Sequence, residues 1–202
     1  MFKKLLILTV VLSMLTALPV RGAVTKYVID ANHSNVGFSI PIMGGFSRVQ
    51  GKFTDFSVNI DYDDADVTKS SVMATIKAAS IDTGVERRDT HLRTADFFDV
   101  EKFPEITFQS KRVEKKGDKF IAHGTFTMHG VSKEISIPFT VTGKSTDAES
   151  KRSHVGFRAT LILDRRDYGI TWANPKMPNW VGNEVEITLD LLARTPDPPK
   201  AQ

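Results

Sequence analysis

The chain contains no cysteine. That excludes disulfides, thiolate catalysis, cysteine-ligated metal centres and a lipoprotein anchor, so the hydrophobic core must supply the stability. Polar aromatics are scarce, with three Tyr and two Trp against 13 Phe. There is no G-x-S-x-G elbow, no H-E-x-x-H pair and no glycine-rich phosphate loop. The five histidines are scattered. His123 and His129 share strand parity, but six residues of strand span about 20 Å, too far to close on one ion. No metal or cofactor is expected. Charge of one sign is missing too. The 27 Lys+Arg exceed the 24 Asp+Glu only through Lys3, Lys4 and Arg21, which lie in a segment expected to be removed. The remainder is formally neutral, which argues against nucleic-acid binding.

One long apolar run is present, from Leu5 to Leu18, preceded by Lys3 and Lys4 and followed by the small residues Gly22 and Ala23. A positive start, an apolar centre and a small-residue site together read as a secretory signal peptide, residues 1–22. The run is shorter than the roughly 20 residues a membrane crossing needs. Cleavage after Gly22 places Val20 two positions earlier, whereas cleavage after Ala23 would place Arg21 there. An exported, soluble protein is expected. Residues 23–194 read as one domain, and the proline-rich 195–202 as a flexible tail.

Period-two alternation dominates that domain. It runs through Val72, Ala74, Ile76 and Ala78, then through Ile106 and Phe108, then through Phe120, Ala122, Phe126 and Met128. It resumes at Ile135, Ile137, Phe139 and Val141, at Val155, Phe157, Ala159, Leu161 and Leu163, and at Val185, Ile187, Leu189 and Leu191. Each segment has one buried and one wet face, the pattern of antiparallel sheet. Lys115–Asp118 and His129–Ser132 are hairpin turns, and Thr142–Ser153 reads as a long polar loop. Parity slips between Phe46 and Tyr62, which predicts one long strand with a bulge near Thr54 and Asp55. The expectation is an all-β antiparallel barrel of about eight strands.

Small inward residues (Ala74, Ala78, Ala122, Gly124, Ala159) share a face with Phe108, Phe126, Phe139 and Phe157. Two readings stand: a filled core with complementary sizes, or a barrel of this size holding one ligand. The densest polar cluster is GVERRDTHLRTADFF, residues 84–98. As a helix from Glu86 to Phe98, capped by Thr83 or Asp82, it pairs Asp89 with Arg93 and turns Phe97 and Phe98 to the barrel. Its polar residues either satisfy one another or meet the head of a ligand. Arg165 and Asp167 end a late strand, and an aromatic, proline-broken loop from Trp172 to Trp180 reads as a portal or an end cap.

The runs YVIDANHSNVGFSI (27–40), GKFTDFSVNID (51–61), IDTGVERRDTHLRTADFFDVEKFPEITFQS (81–110), GTFTMHGVSKEI (124–135) and LDRRDYGI (163–170) resemble the YceI-like family. The resemblance implies a lipocalin-like barrel with a short helical insert, exported to the bacterial periplasm. It also implies a non-enzymatic role in which an apolar tunnel binds polyisoprenoids or other long-chain amphiphiles. Asp89, His91 and Arg93 match the family's R-D-x-H-L-R motif, and Arg165, Asp167 and Gly169 its R-x-D-F/Y-G motif. Ile42 stands where many members carry histidine, and Pro41 marks an edge or bend in its strand. The expected lumen wall is Phe38, Ile40, Ala74, Ile76, Ala78, Phe97, Phe98, Phe108, Phe126, Phe139, Phe157, Ala159 and Leu161. Head-group or portal candidates are Arg88, Asp89, His91, Arg93, Arg165, Asp167 and Trp172. The expected partner is a long-chain isoprenoid or fatty lipid, loaded through transient membrane contact, with a homodimer left open. Rival readings are an enzyme acting on such a lipid, with Asp89 and His91 as acid and base, or a structural, stress-protective protein with a filled barrel.

Overall fold

The structure, a computed structural model, describes residues 24–197. The expected signal segment 1–22 and residues 198–202 of the expected tail lie outside the described residues.

Eleven strand segments form one antiparallel sheet that closes on itself. They are β1 (Val24–Ile29), β2 (Asn35–Ile42), β3 (Ser47–Phe53), β4 (Phe56–Asp63), β5 (Ser71–Lys77), β6 (Ile81–Asp82), β7 (Glu105–Lys116), β8 (Lys119–Met128), β9 (Val131–Thr146), β10 (Ser153–Asp164) and β11 (Glu184–Arg194). Three barrel strands are each broken in two: β1 with β2, β3 with β4, and β5 with β6. β2 pairs with β3 through Val36↔Phe53, and β1 pairs with β4 through Val28↔Asn59, so the two broken strands run side by side. β6 and β5 follow in the same way through Phe53↔Ile81 and Phe56↔Ile76. The result is the expected eight-stranded barrel, in which each strand pairs with its neighbours in sequence and β11 returns to β1 and β2.

The expected bend between Phe46 and Tyr62 is the gap at Thr54 and Asp55. The Thr54 N–H donates to the Ser80 carbonyl at 3.1 Å, and Lys77 N–H donates to the Asp55 carbonyl at 2.9 Å. Hydrogen bonding thus continues across the bend, which curves the sheet without opening it. Pro41 lies past the last β2–β11 partner, Ser39↔Glu186, so its missing N–H costs no ladder bond.

Two expectations are corrected. The polar stretch 142–153 is half strand, with Thr146 opposite Ser153 and the turn confined to residues 147–152. This hairpin extends past the core, so both faces meet water and the alternation that marks a strand is lost. Gly124 is small for a different reason from the alanines. A Cβ there would lie 2.2 Å from the Gln109 carbonyl oxygen, because β7 bulges between Ser110 and Arg112 and brings its backbone against β8.

The two barrel ends are built differently. At one, Tyr27, Tyr62, Val58, Ile60, Val155 and Ala193 form a buried cluster, and Val67, in the connection between β4 and β5, packs against it. Tyr62 is 2% exposed and meets Tyr27 and Phe157 edge-on, with centroids 5.9 and 5.8 Å away. At the other end stand the β2–β3 tip, the insert between β6 and β7, and the loop between β10 and β11.

Candidate functional site

The barrel is not filled. It encloses a cavity of about 560 Å³, within the 300–1,000 Å³ typical of small-molecule sites. The wall includes Phe38, Ile40, Ala74, Ile76, Phe97, Phe98, Phe108, Phe126, Phe139, Phe157, Ala159 and Leu161, each expected from sequence. Ala78 is the exception. It begins the short 3-10 turn between β5 and β6, where it is 1% exposed and packs with Val36, Phe53, Ile81 and Ile106 behind the wall. The wall also contains Ile42, Leu163, Val185, Ile187, Leu189 and Leu191, which share the inward period, and Ile170, Trp180 and Val181, which do not. That second group sits in loops or at strand ends, where no periodicity marks it. Polar residues gather at the ends of the cavity: Arg88, His91 and Asn174 at the mouth, Ser70 and Ser71 at the sealed end.

The insert explains the mouth. Its helix α1 (Glu86–Arg93) is shorter than expected, because the chain turns at Thr94, whose backbone is extended. Phe98 N–H then reaches back to the Leu92 carbonyl at 3.0 Å, and Val100 N–H to the Arg93 carbonyl at 3.1 Å. Phe97 and Phe98 therefore lie in a turn that swings them over the lumen; Phe98 meets Phe53 edge-on at 5.9 Å. Val85, not Thr83 or Asp82, is the N-cap. The Thr83 hydroxyl is engaged elsewhere, donating to Asp89, whose Oδ1 also accepts the Thr83 N–H at 3.0 Å.

The expected Asp89–Arg93 pair does not form. Asp89 is 4% exposed and turned toward Thr83, while Arg93 donates to the Ala79 carbonyl at 2.9 Å and the Ile81 carbonyl at 3.0 Å. Arg93 thus pins the insert to the break between β5 and β6, outside the cavity wall. Arg88 braces Thr83 through Nε and Nη2, at 2.7 and 2.9 Å. Its Nη1 has no protein partner among the described residues. His91 meets Asp96 at 2.6 Å and packs edge-on against Phe97 and Trp172, with centroids 5.1 and 5.2 Å away. This three-ring cluster joins the insert to the late loop.

The late loop hangs on Arg165. This side chain is 6% exposed and donates to the Gly182 carbonyl at 2.9 Å, the Ile170 carbonyl at 2.7 Å and Asn183 Oδ1 at 3.2 Å. Burial pulls its pKa down from the ordinary guanidinium value. With its fork filled by loop acceptors, it holds both ends of the loop together and presents no donor array to a ligand. Asp164 precedes it and accepts from Arg166 through backbone and guanidinium, which holds its carboxyl at about 2. Tyr168 is buried against Phe126, and burial raises its phenol above the usual value. Gly169 adopts φ 76°, the left-handed conformation that ends this turn and that glycine takes at little cost. Asp167 points away from the lumen and pairs with Lys133 at 2.9 Å. Of the seven polar or portal candidates, Arg88, His91, Arg165 and Trp172 line the cavity, and Asp89, Arg93 and Asp167 do not.

Among the described residues no three His, Asp or Glu side chains are placed to hold a metal ion. A relative from Photorhabdus laumondii subsp. laumondii, a UPF0312 protein, is 36% identical over 166 residues, covering 82% of this chain and 85% of its own. The crystal structure of Burkholderia cenocepacia BcnA superimposes with a TM-score of 0.72 at 24% identity, over 81% of this chain and 98% of that one. A polyisoprenoid binding domain from Saccharophagus degradans, implicated in plant cell wall breakdown, gives 0.62 at 18% identity, over 86% and 99%. These last two likenesses establish the shared barrel. The YceI-like domain model matches residues 27–193, essentially the entire barrel, and the chain belongs to that family.

Proposed function

We propose that the protein is an exported, non-catalytic binding protein for a long-chain amphiphile, with an isoprenoid as the favoured class, working in the periplasm. The observation that carries this reading is the 560 Å³ lumen, walled mainly by Phe, Leu, Ile, Val and Ala along its length, where mid-strand Arg158 turns its guanidinium to Asp190, with the other polar residues gathered at its ends. Each methylene removed from water contributes about 0.8 kcal/mol, so a dozen contribute roughly 10 kcal/mol. Association costs about 4–15 kcal/mol, so a short chain gains little net affinity and length is what such a lumen rewards. The polyisoprenoid-binding domain of Saccharophagus degradans, which shares the barrel, supports the ligand class. The apolar run Leu5–Leu18 behind Lys3 and Lys4 supports export.

At the mouth, the unpaired Nη1 of Arg88 beside His91 suits an anionic head such as a phosphate. Native mass spectrometry of protein recovered from the periplasm, followed by organic extraction, identifies the bound molecule. Ala159→Phe fills free volume on the wall. It is expected to abolish uptake while costing less than the roughly 1–3 kcal/mol of an overpacked core. Retained lipid binding together with a large stability loss would sink the cavity reading. Arg88→Ala is expected to weaken a phosphorylated isoprenoid more than its neutral alcohol; equal losses would remove the head-group role.

A further inference from the structure

The β2–β3 tip stands clear of the rest of the molecule. Phe46 is 92% exposed and Met43 44%, and a Cβ built on Gly44 or Gly45 would meet nothing within 4 Å. The backbone is forced to hold this shape: φ is 57° at Met43, a conformation a branched or bulky residue takes at a cost, and 68° and 99° at the two glycines. No packing accounts for a phenylalanine displayed in this way. Met73 and Ile162 are also exposed, but each is a single residue on the outer face of a paired strand, which is ordinary.

The tip is joined to the late loop. Met43 N–H donates to the Trp180 carbonyl at 2.8 Å, Gly182 N–H to the Pro41 carbonyl at 2.8 Å, and Ile42 bridges Val181. The loop presents a third exposed apolar residue, Met177, at 45%. Residues 43–49 and 171–183 together contain Arg48 and Lys176 and no carboxylate, although the mature chain is formally neutral; Lys52, farther along β3, lies opposite Asp82. Glu186 on β11 reaches Arg48 only at 4.0 Å. Ile42, Trp180 and Val181, directly behind the exposed residues, line the lumen. An apolar path therefore leads from the exposed tip into the cavity, flanked by cations.

We propose that this rim is a docking surface for an anionic lipid bilayer, with Phe46, Met43 and Met177 entering the interface and Arg48 and Lys176 facing head groups. The apolar side chains supply the anchoring and the cations the preference for anionic lipid. Docking there sets the mouth against the membrane, so an acyl or isoprenyl chain passes into the lumen without crossing water. The proposal rests on the lumen reading, but its test is separate.

Processed protein is floated with vesicles of phosphatidylcholine, with and without a phosphatidylglycerol fraction. Binding of a dansyl-labelled long-chain fatty acid is measured in vesicle-free solution. The wild type is expected to float with the anionic vesicles and less so at high salt. Phe46→Asp combined with Met43→Ser should lower partitioning by about tenfold or more, and Lys176→Gln by roughly fivefold. Both variants should keep wild-type probe affinity and circular dichroism, since the altered side chains are exposed. Absent flotation, or flotation untouched by Phe46→Asp, overturns the docking surface. A concentration-dependent dimer that Phe46→Asp dissolves, without flotation, assigns the tip to a second copy and overturns it equally. Wild-type protein that fails to bind the probe yet floats in a Phe46-dependent manner keeps the docking surface and overturns the lumen reading alone.

Discussion

The two ends of the barrel are made of similar residues put to opposite use. At the sealed end, Tyr27, Tyr62 and Phe157 meet edge to edge beneath Val67, and what little is polar there, such as the Asp63 N–H to Ser70 Oγ bond at 3.0 Å, is satisfied internally. At the mouth, His91 also meets Phe97 and Trp172 edge to edge, with those two rings tilted at 41° to each other, but the cluster joins the insert to a loop rather than strands of one sheet. Tyr27 and Tyr62 stand on the ladder-paired β1 and β4, and Phe157 meets Tyr62 from β10 across the lumen, so aromatic packing between strands closes the barrel. The same packing between an insert and a loop joins segments that share no ladder: Arg93 holds the insert, while Arg165 and two backbone bonds to the β2–β3 tip hold the loop. Local opening belongs to regions with few backbone ladders.

Breaking the sealed end should cost most. Tyr62→Ala removes a fully buried ring and is expected to lower stability by about 3–5 kcal/mol in urea unfolding. A loss below 1 kcal/mol would show that the end is not a core. Next comes the loop's anchor. Arg165→Ala leaves the Gly182 and Ile170 carbonyls without their charged donor, which should cost about 1.5–3 kcal/mol. It should also speed hydrogen exchange at Ile170 and Gly182, and exchange confined to wild-type rates would refute the anchoring role. Arg93→Ala frees the insert from Ala79 and Ile81; with the guanidinium half-exposed, about 1 kcal/mol is expected. Because Arg93 does not line the lumen, ligand affinity should fall equally for charged and neutral isoprenoids, whereas a charge-selective loss would move it into the site.

The smallest effect is a pH dependence. Asp164 has its carboxyl lowered from 3.8 to about 2 by Arg166. A depressed carboxylate stabilises the fold above its unfolded value, so this contribution is present above about pH 4 and fades as pH falls toward 2. For a pair this exposed it should be below about 1 kcal/mol. Asp164→Asn should flatten the stability curve over that window alone; an unchanged slope would show that the pair does not count.

The same contrast explains what the sequence makes legible. Strands that bury one face write their period into the chain, so the barrel and most of its wall, from Ala74 to Leu161, can be read from alternation. The insert can be placed but not built from spacing. Four-residue spacing suggests an Asp89–Arg93 pair, yet carbonyls freed at the break between β5 and β6 compete for Arg93, and Thr83 captures Asp89. Helical periodicity cannot see acceptors supplied by a distant strand. Ile170, Trp180 and Val181 escaped for a related reason: their inward orientation comes from the loop tied by Arg165, and loops carry no period, whereas Ile42 continues the parity of Phe38 and Ile40. Ala78 errs the other way, since its parity is right but the short turn it begins takes it out of the strand.

The ladder that shuts the barrel joins its first strands to its last, with Val28 opposite Arg194 and Val36 opposite Leu189. Every other neighbouring pair lies close along the chain and can zip as a local hairpin once its turn has formed. This seam alone spans nearly the whole domain, and closing so long a loop costs entropy that the other strands do not face. Synthesis from the amino end delivers β1 and β2 first and β11 last. The leading edge then waits, unpaired on one side, until translation is nearly complete. The order of synthesis thus makes the carboxyl-terminal strand the latch of the fold, and a chain cut short before Glu184 has hairpins but no barrel.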